Sequence, residues 1–227
     1  MSKEIRDHIN YDSNHFGWRN IHRHTQYIPS LRKYSFKDNA DLTIELLRKV
    51  KEKTGKEKIK VLDFGCGEGT VCLKEPKPFI EYAGYDNDLQ NDFATYHSLD
   101  EMEECHFDVI VFSHVIAYLQ VDEMISVMEW SLDHGDYIIV ILQRAEYPFN
   151  EFFAPHHIKA WDNEMFLGYL DIIGWETINY YHVDWRSKSD PFLIAIPRFI
   201  FCVLMWISPF MGFLVFARNK KTTPKWR

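Results

Sequence analysis

Apolar positions fall along this chain in two alternating rhythms. From Asn39, the residues Leu42, Leu46, Leu47 and Val50 recur at helical spacing, which places them on one face and predicts a helix. Lys49, Lys51 and Lys53 complement the negative end of its dipole, and Gly55 can stop it. A short apolar run follows at about 59–64, then a second at 82–86, a third at 107–112 and a fourth at Tyr137–Leu142. Runs this short and this rich in Val, Ile and Phe read as strands buried on both faces of a parallel sheet. Between the last two, Val121, Met124, Ile125 and Met128 form a helical stripe that Gly135 ends. Met165, Phe166, Tyr169 and Leu170 form another, with Asp162 as its cap, Gly174 at its end and a strand at 176–185 behind it. Strand and helix alternate, so the fold class is α/β, a doubly wound sheet in a single domain.

Two compressions modify this picture. Pro76 and Pro78 leave little room for a long helix after the first strand. Only about 22 residues separate Asp86 from Asp108, so any third strand and its helix are abbreviated as well. Residues 1–38 carry aromatics, histidines and arginines without a period and are expected to form a lid segment.

Chemistry concentrates where the first strand ends, at Asp63-Phe64-Gly65-Cys66-Gly67-Glu68-Gly69. Three glycines at alternate positions let a bulky ligand lie against bare backbone. The second strand also ends in an acid, Asp86, a placement that suits both hydroxyls of a ribose. A dinucleotide site would use G-x-G-x-x-G and a helix N-terminus facing a pyrophosphate. Here the third glycine comes one place early, and an aspartate precedes the first. That anion suits a cationic ligand and disfavours a nicotinamide-dependent oxidoreductase.

The pattern D-x-G-x-G-x-G resembles motif I of the class I S-adenosylmethionine-dependent methyltransferases. Phe107-Asp108-Val109-Ile110-Val111 through Leu119 resembles that family's fourth motif, and Pro155-His156-His157 through Gly174 resembles its second half. The resemblance implies a Rossmann-like, mostly parallel seven-stranded sheet whose antiparallel last strand, at 212–218, lies between strands five and six. It implies S-adenosyl-L-methionine as cofactor, with Asp63, Gly65, Cys66, Gly67, Gly69, Asp86, Asn87, Leu99, Ser113 and His114 around it. Where many members close this motif with histidine, this chain has Tyr118, so no general base is carried over from that position. His114, His156 and His157 are the catalytic candidates, each equally readable as a polar residue that shapes the substrate site. The expected reaction is methyl transfer to a small-molecule acceptor, lipid- or sugar-linked species among them, walled by the aromatic segments 145–161 and 178–192. A non-catalytic, cofactor-binding partner protein is the alternative.

Composition narrows the partners. The formal net charge of −7 leaves no basic face for nucleic acid. Cys66, Cys72, Cys105 and Cys202 show no C-x-x-C pair and read as reduced thiols of a cytoplasmic protein. The polar start lacks the apolar core of a signal peptide. His22, His24, His156 and His157 have no metal-ligand spacing, and no metal is expected. Phe199 to Ala217 carries no charge over about nineteen residues, roughly enough to span a bilayer. Ser208-Pro209 and Gly212 divide this run, and its second part is the expected last strand. The helix 192–207 then has three readings: a membrane span, a peripheral membrane contact, or a cover for the substrate cleft. The sequence leaves oligomeric state open.

Overall fold

The computed structural model describes residues 32–35, 39–69, 77–143, 163–183 and 212–222. The described elements in chain order are β1 (Arg32–Ser35), α1 (Asn39–Thr54), β2 (Ile59–Phe64), β3 (Ile80–Tyr85), β4 (Phe107–Ser113), α2 (Val121–His134), β5 (Gly135–Gln143), α3 (Asn163–Ile173), β6 (Trp175–Val183) and β7 (Gly212–Asn219). They build one seven-stranded sheet in the order β1-β6-β7-β5-β4-β2-β3. All neighbours run parallel except β7, which is antiparallel to both β5 and β6.

The wedge position of β7 explains its composition. A central strand has no solvent face, and all eight residues of Gly212–Asn219 are buried. The last strand expected at 212–218 is therefore in place, one residue longer. Alternating side chains divide the core into two layers. Leu62, Ile110, Phe112, Ile138, Val140, Phe213 and Val215 face α2 and α3, together with Met124, Met128, Phe166 and Leu170. Val61, Val109, Val111, Ile139, Ile141, Leu214 and Phe216 face α1, whose Leu42, Leu46, Leu47 and Val50 complete the second layer.

The helix ends follow their sequence cues. Gly55 sits at φ +69, and its N–H reaches the Lys51 carbonyl at 3.0 Å, the left-handed stop that glycine makes without steric cost. Glu123 accepts the N–H of Gln120 at 2.9 Å and so caps α2. Gly135 both ends α2 and opens β5. A side chain there would meet Ile110 Cδ1 at 2.8 Å.

The seven strands differ from the expected seven at both edges. Residues 32–35, assigned to the lid, instead form edge strand β1 and pair with Tyr180–Val183. The third strand expected after Asp86 is reduced to a single bridge, Tyr85 to Tyr96, because the linker turns back on itself at once. The strand read as 176–185 starts at Trp175 and is described to Val183. Its residues 178–183, part of the segment expected to wall the acceptor pocket, belong to the sheet, with Tyr180, Tyr181 and His182 buried. The remaining lid residues, segment 145–161, Asp162 and helix 192–207 lie outside the described residues. Among the described residues, no helix is long and apolar enough to cross a membrane.

Candidate active site

The chain passes from β2 outward to β3, then returns to β4 on the other side of β2. Loops leaving β2 and β4 diverge at such a reversal, and the crevice at the carboxyl ends of these strands is where open α/β sheets bind ligands. Gly65, Asp86 and Ser113-His114 all sit at this edge.

The glycine loop is built by three backbone residues in the left-handed region: Gly65 at φ +68, Gly67 at +51 and Gly69 at +84. The first two serve different ends. A Cβ on Gly65 would lie 2.3 Å from Val115 Cγ2, so this glycine lets the turn after β4 close against the turn after β2. A Cβ on Gly67 would meet nothing within 4 Å. Bare backbone there faces open space.

Asp86 closes the far side. Its Oδ2 accepts the Gly67 N–H at 2.8 Å, and its Oδ1 accepts the Asp88 N–H at 3.0 Å. A carboxylate has about four acceptor sites, so two remain on this half-buried group. The turn itself is tied to β3, since the N–H groups of Gly65 and Cys66 both reach the Tyr85 carbonyl, at 2.8 and 2.9 Å.

Asp63 lies fully buried under the loop, with the Tyr82 hydroxyl 3.4 Å from its Oδ2. Cys66 points inward, its sulfur beside Gly84. Burial, reinforced by the charges of Asp63 and Asp86, pushes its thiol up to about 11, so it stays protonated and non-nucleophilic at neutral pH. His114 is the one non-glycine at positive φ (+67) among the described residues. Its N–H bonds to the Ile141 carbonyl at 3.0 Å, which ties the end of β4 to β5.

The profile of the family described as "Methyltransferase domain" matches residues 31–164. The chain belongs to this methyltransferase family. The match begins at the edge strand β1, ahead of the point where the sequence motifs begin. No curated protein matches the sequence.

Solved structures share the fold at low identity. A SAM-dependent methyltransferase from Archaeoglobus fulgidus superposes with a TM-score of 0.55 at 17% identity, covering 81% of this chain and 96% of that one. A magnesium protoporphyrin IX methyltransferase from Synechocystis PCC 6803 with bound SAH gives 0.52 at 9% identity, covering 95% and 93%. A small RNA methyltransferase gives 0.52 at 15%, covering 86% of this chain but 27% of the other. One sheet thus carries acceptors as different as a porphyrin and an RNA, so the fold does not name the acceptor.

Family and fold make this a class I S-adenosylmethionine-dependent methyltransferase, and the residues present fit that cofactor. The space in front of Gly67 admits a ligand against the main chain, the free acceptor sites of Asp86 suit ribose hydroxyls, and an acid at the rim with a second beneath the loop suits a cation. Of the other candidates, Asn87 is exposed, while Leu99, Ser113 and His114 are half-buried. Leu99 packs on the core beneath the rim. His156 and His157 lie outside the described residues. Among the described residues no group of three or more His, Cys, Asp or Glu side chains is gathered as a metal site would require.

Sequence reasoning passed over two residues. Asn91 reaches the Gly67 carbonyl with its Nδ2 at 2.5 Å. His97 lies with Nδ1 3.0 Å from the Asp86 carbonyl. Neither belongs to a motif. Both follow from the sharp return of the chain after Asp86, which no local pattern announces.

Proposed function

We propose that this methyltransferase acts on a small, partly apolar acceptor, lipid- or sugar-linked molecules among them. In this reading Asp63, Gly65, Cys66, Gly67, Gly69, Asp86, Asn87, Leu99, Ser113 and His114 surround the cofactor. The observation that carries it is Gly67, left-handed, open in front and bonded through its N–H to Asp86. That arrangement presents main chain and a sugar-binding carboxylate side by side.

S-adenosylmethionine, when bound, supplies a methyl group on a sulfonium whose charge vanishes as the methyl leaves, so a dry site favours the change. The chain's task is alignment. Gly67 lets the ligand lie close, Asp86 holds the ribose, and Asp63 supplies negative potential from below. His114, its backbone N–H bonded to β5, stands at the end of β4. For an amine or thiolate acceptor it shapes the site; for a hydroxyl acceptor its imidazole takes the proton. A left-handed non-glycine costs about 1–2 kcal/mol, and such strain is commonly kept where function needs the side chain.

The small-molecule reading rests on the net charge of −7 and on Tyr118, 48% exposed just beyond His114, an aromatic surface at the rim. The test is incubation with isotopically labelled S-adenosylmethionine and fractionated cell extract. Label is expected in the small-molecule and lipid fractions. Label confined to protein or RNA overturns the acceptor assignment.

A further inference from the structure

We propose that Asn91 is a positioning residue for the cofactor, holding the glycine loop in its binding shape from outside the loop. The proposal rests on the reading of residues 65–69 as the cofactor cradle.

Glycine at 67 gives the ligand room and removes any side chain that would hold its own backbone in place. An isolated glycine samples both signs of φ freely. Here both peptide groups flanking Gly67 are gripped by side chains from one return loop. Its N–H donates to Asp86 Oδ2 at 2.8 Å, and its carbonyl accepts from Asn91 Nδ2 at 2.5 Å. With both planes fixed, the dihedrals between them are fixed too.

The grip is itself braced. Asn91 Oδ1 accepts the Phe93 N–H at 2.9 Å, which assigns the amide oxygen to that side and leaves the NH₂ facing Gly67. The Asn91 N–H donates to the Asp88 carbonyl at 3.0 Å, and the Asp88 N–H returns to Asp86 Oδ1 at 3.0 Å. The following residues are stitched to β3, with the N–H groups of Thr95 and Tyr96 on the Gly84 carbonyl at 2.7 and 3.0 Å. Asp86, Asp88 and Asn91 therefore form one closed circuit with Gly67, anchored to the sheet. The return of the chain, which eliminates a full third strand, is what delivers Asn91 to the loop.

A pre-shaped loop binds more tightly because a larger fraction of molecules is competent before the ligand arrives. Two variants separate this role from simple folding support. Asn91→Ala removes the side chain's bonds to the Gly67 carbonyl and the Phe93 N–H, together with a longer contact from Nδ2 to the Cys66 sulfur at 3.8 Å. Asn91→Asp keeps the shape and the acceptor for Phe93 but sets an anion against the Gly67 carbonyl. S-adenosylhomocysteine is the probe, with affinity read by calorimetry and backbone order by hydrogen exchange over residues 64–69. Both variants should bind about tenfold or more weakly, the worth of a hydrogen bond of this kind. Without ligand they should exchange faster than wild type over 64–69, and saturating ligand should restore protection.

Wild-type affinity in both variants overturns the positioning role. Faster exchange with unchanged affinity assigns Asn91 to loop structure alone and overturns it equally. If wild-type protein does not bind S-adenosylhomocysteine at all, the cradle reading itself fails, a result distinguishable from either.

Discussion

The two ends of the parallel strands handle buried polar groups in opposite ways. At the amino end the buried side chains of Asp108, Asn219 and Arg218 find their partners within the protein. Asp108, 3% exposed, accepts the Lys60 N–H at 2.8 Å and the Lys56 ammonium at 2.6 Å, fastening the start of β4 to the start of β2. Asn219 is fully buried and donates to the carbonyls of Leu132 and Gly135, at 2.6 and 3.1 Å, closing the junction of α2 and β5. Arg218 meets Glu176 through its Nε at 3.0 Å. At the carboxyl end the same sheet offers left-handed glycines, a half-buried carboxylate with free acceptor sites and a strained histidine. One end is finished as a solid; the other is shaped for something to arrive. Polar residues of similar type thus carry stability at one edge and, in the proposed function, binding at the other.

Substitutions should divide accordingly. The largest expected effect is that of Gly67→Val. It fills the space in front of the loop and should abolish detectable S-adenosylhomocysteine binding, while the left-handed backbone costs the fold only about 1–2 kcal/mol. Calorimetry paired with thermal melting reads both. Asn219→Ala should do the reverse, costing about 2–4 kcal/mol of stability by stranding two buried carbonyls, with ligand affinity unchanged in chemical denaturation and titration experiments. A large affinity loss there would erase the contrast between the ends. Asp86→Ala should weaken binding by about 1–3 kcal/mol, through loss of hydrogen bonds to a charged group, and move the melting temperature little. The smallest effect concerns Cys66. Its thiolate is the reactive form and its thiol is pushed up to about 11, so alkylation should keep accelerating with pH past 9, where an ordinary thiol levels off. Mass-spectrometric labelling rates across pH 7–10.5 check this, and a plateau near pH 9 would place the thiol in open solvent.

Much of this contrast was legible in the chain. The carboxyl end announces itself because ligand binding demands rare residues in fixed order, and Asp63, Gly65, Gly67, Gly69 and Asp86 stand at one sheet edge as read. Buried strands such as β4, β5 and β7 were legible because a strand enclosed on both faces must be apolar throughout. What escaped was long-range. β1, Arg-Lys-Tyr-Ser, has no apolar period and is a strand only because β6 offers an edge. Asn91 looks like an ordinary loop amide until the chain turns back to Gly67. Gly65 and Gly67 are indistinguishable in sequence, and only the position of Val115 shows that one serves packing while the other faces open space.

The most direct measurement is a calorimetric titration of the wild-type protein with S-adenosylhomocysteine, with NAD as the competing nucleoside. One site per chain with a Kd on the order of micromolar, and no heat from NAD, is the predicted result. No binding of the thioether nucleoside, or binding of NAD in its place, would contradict the account.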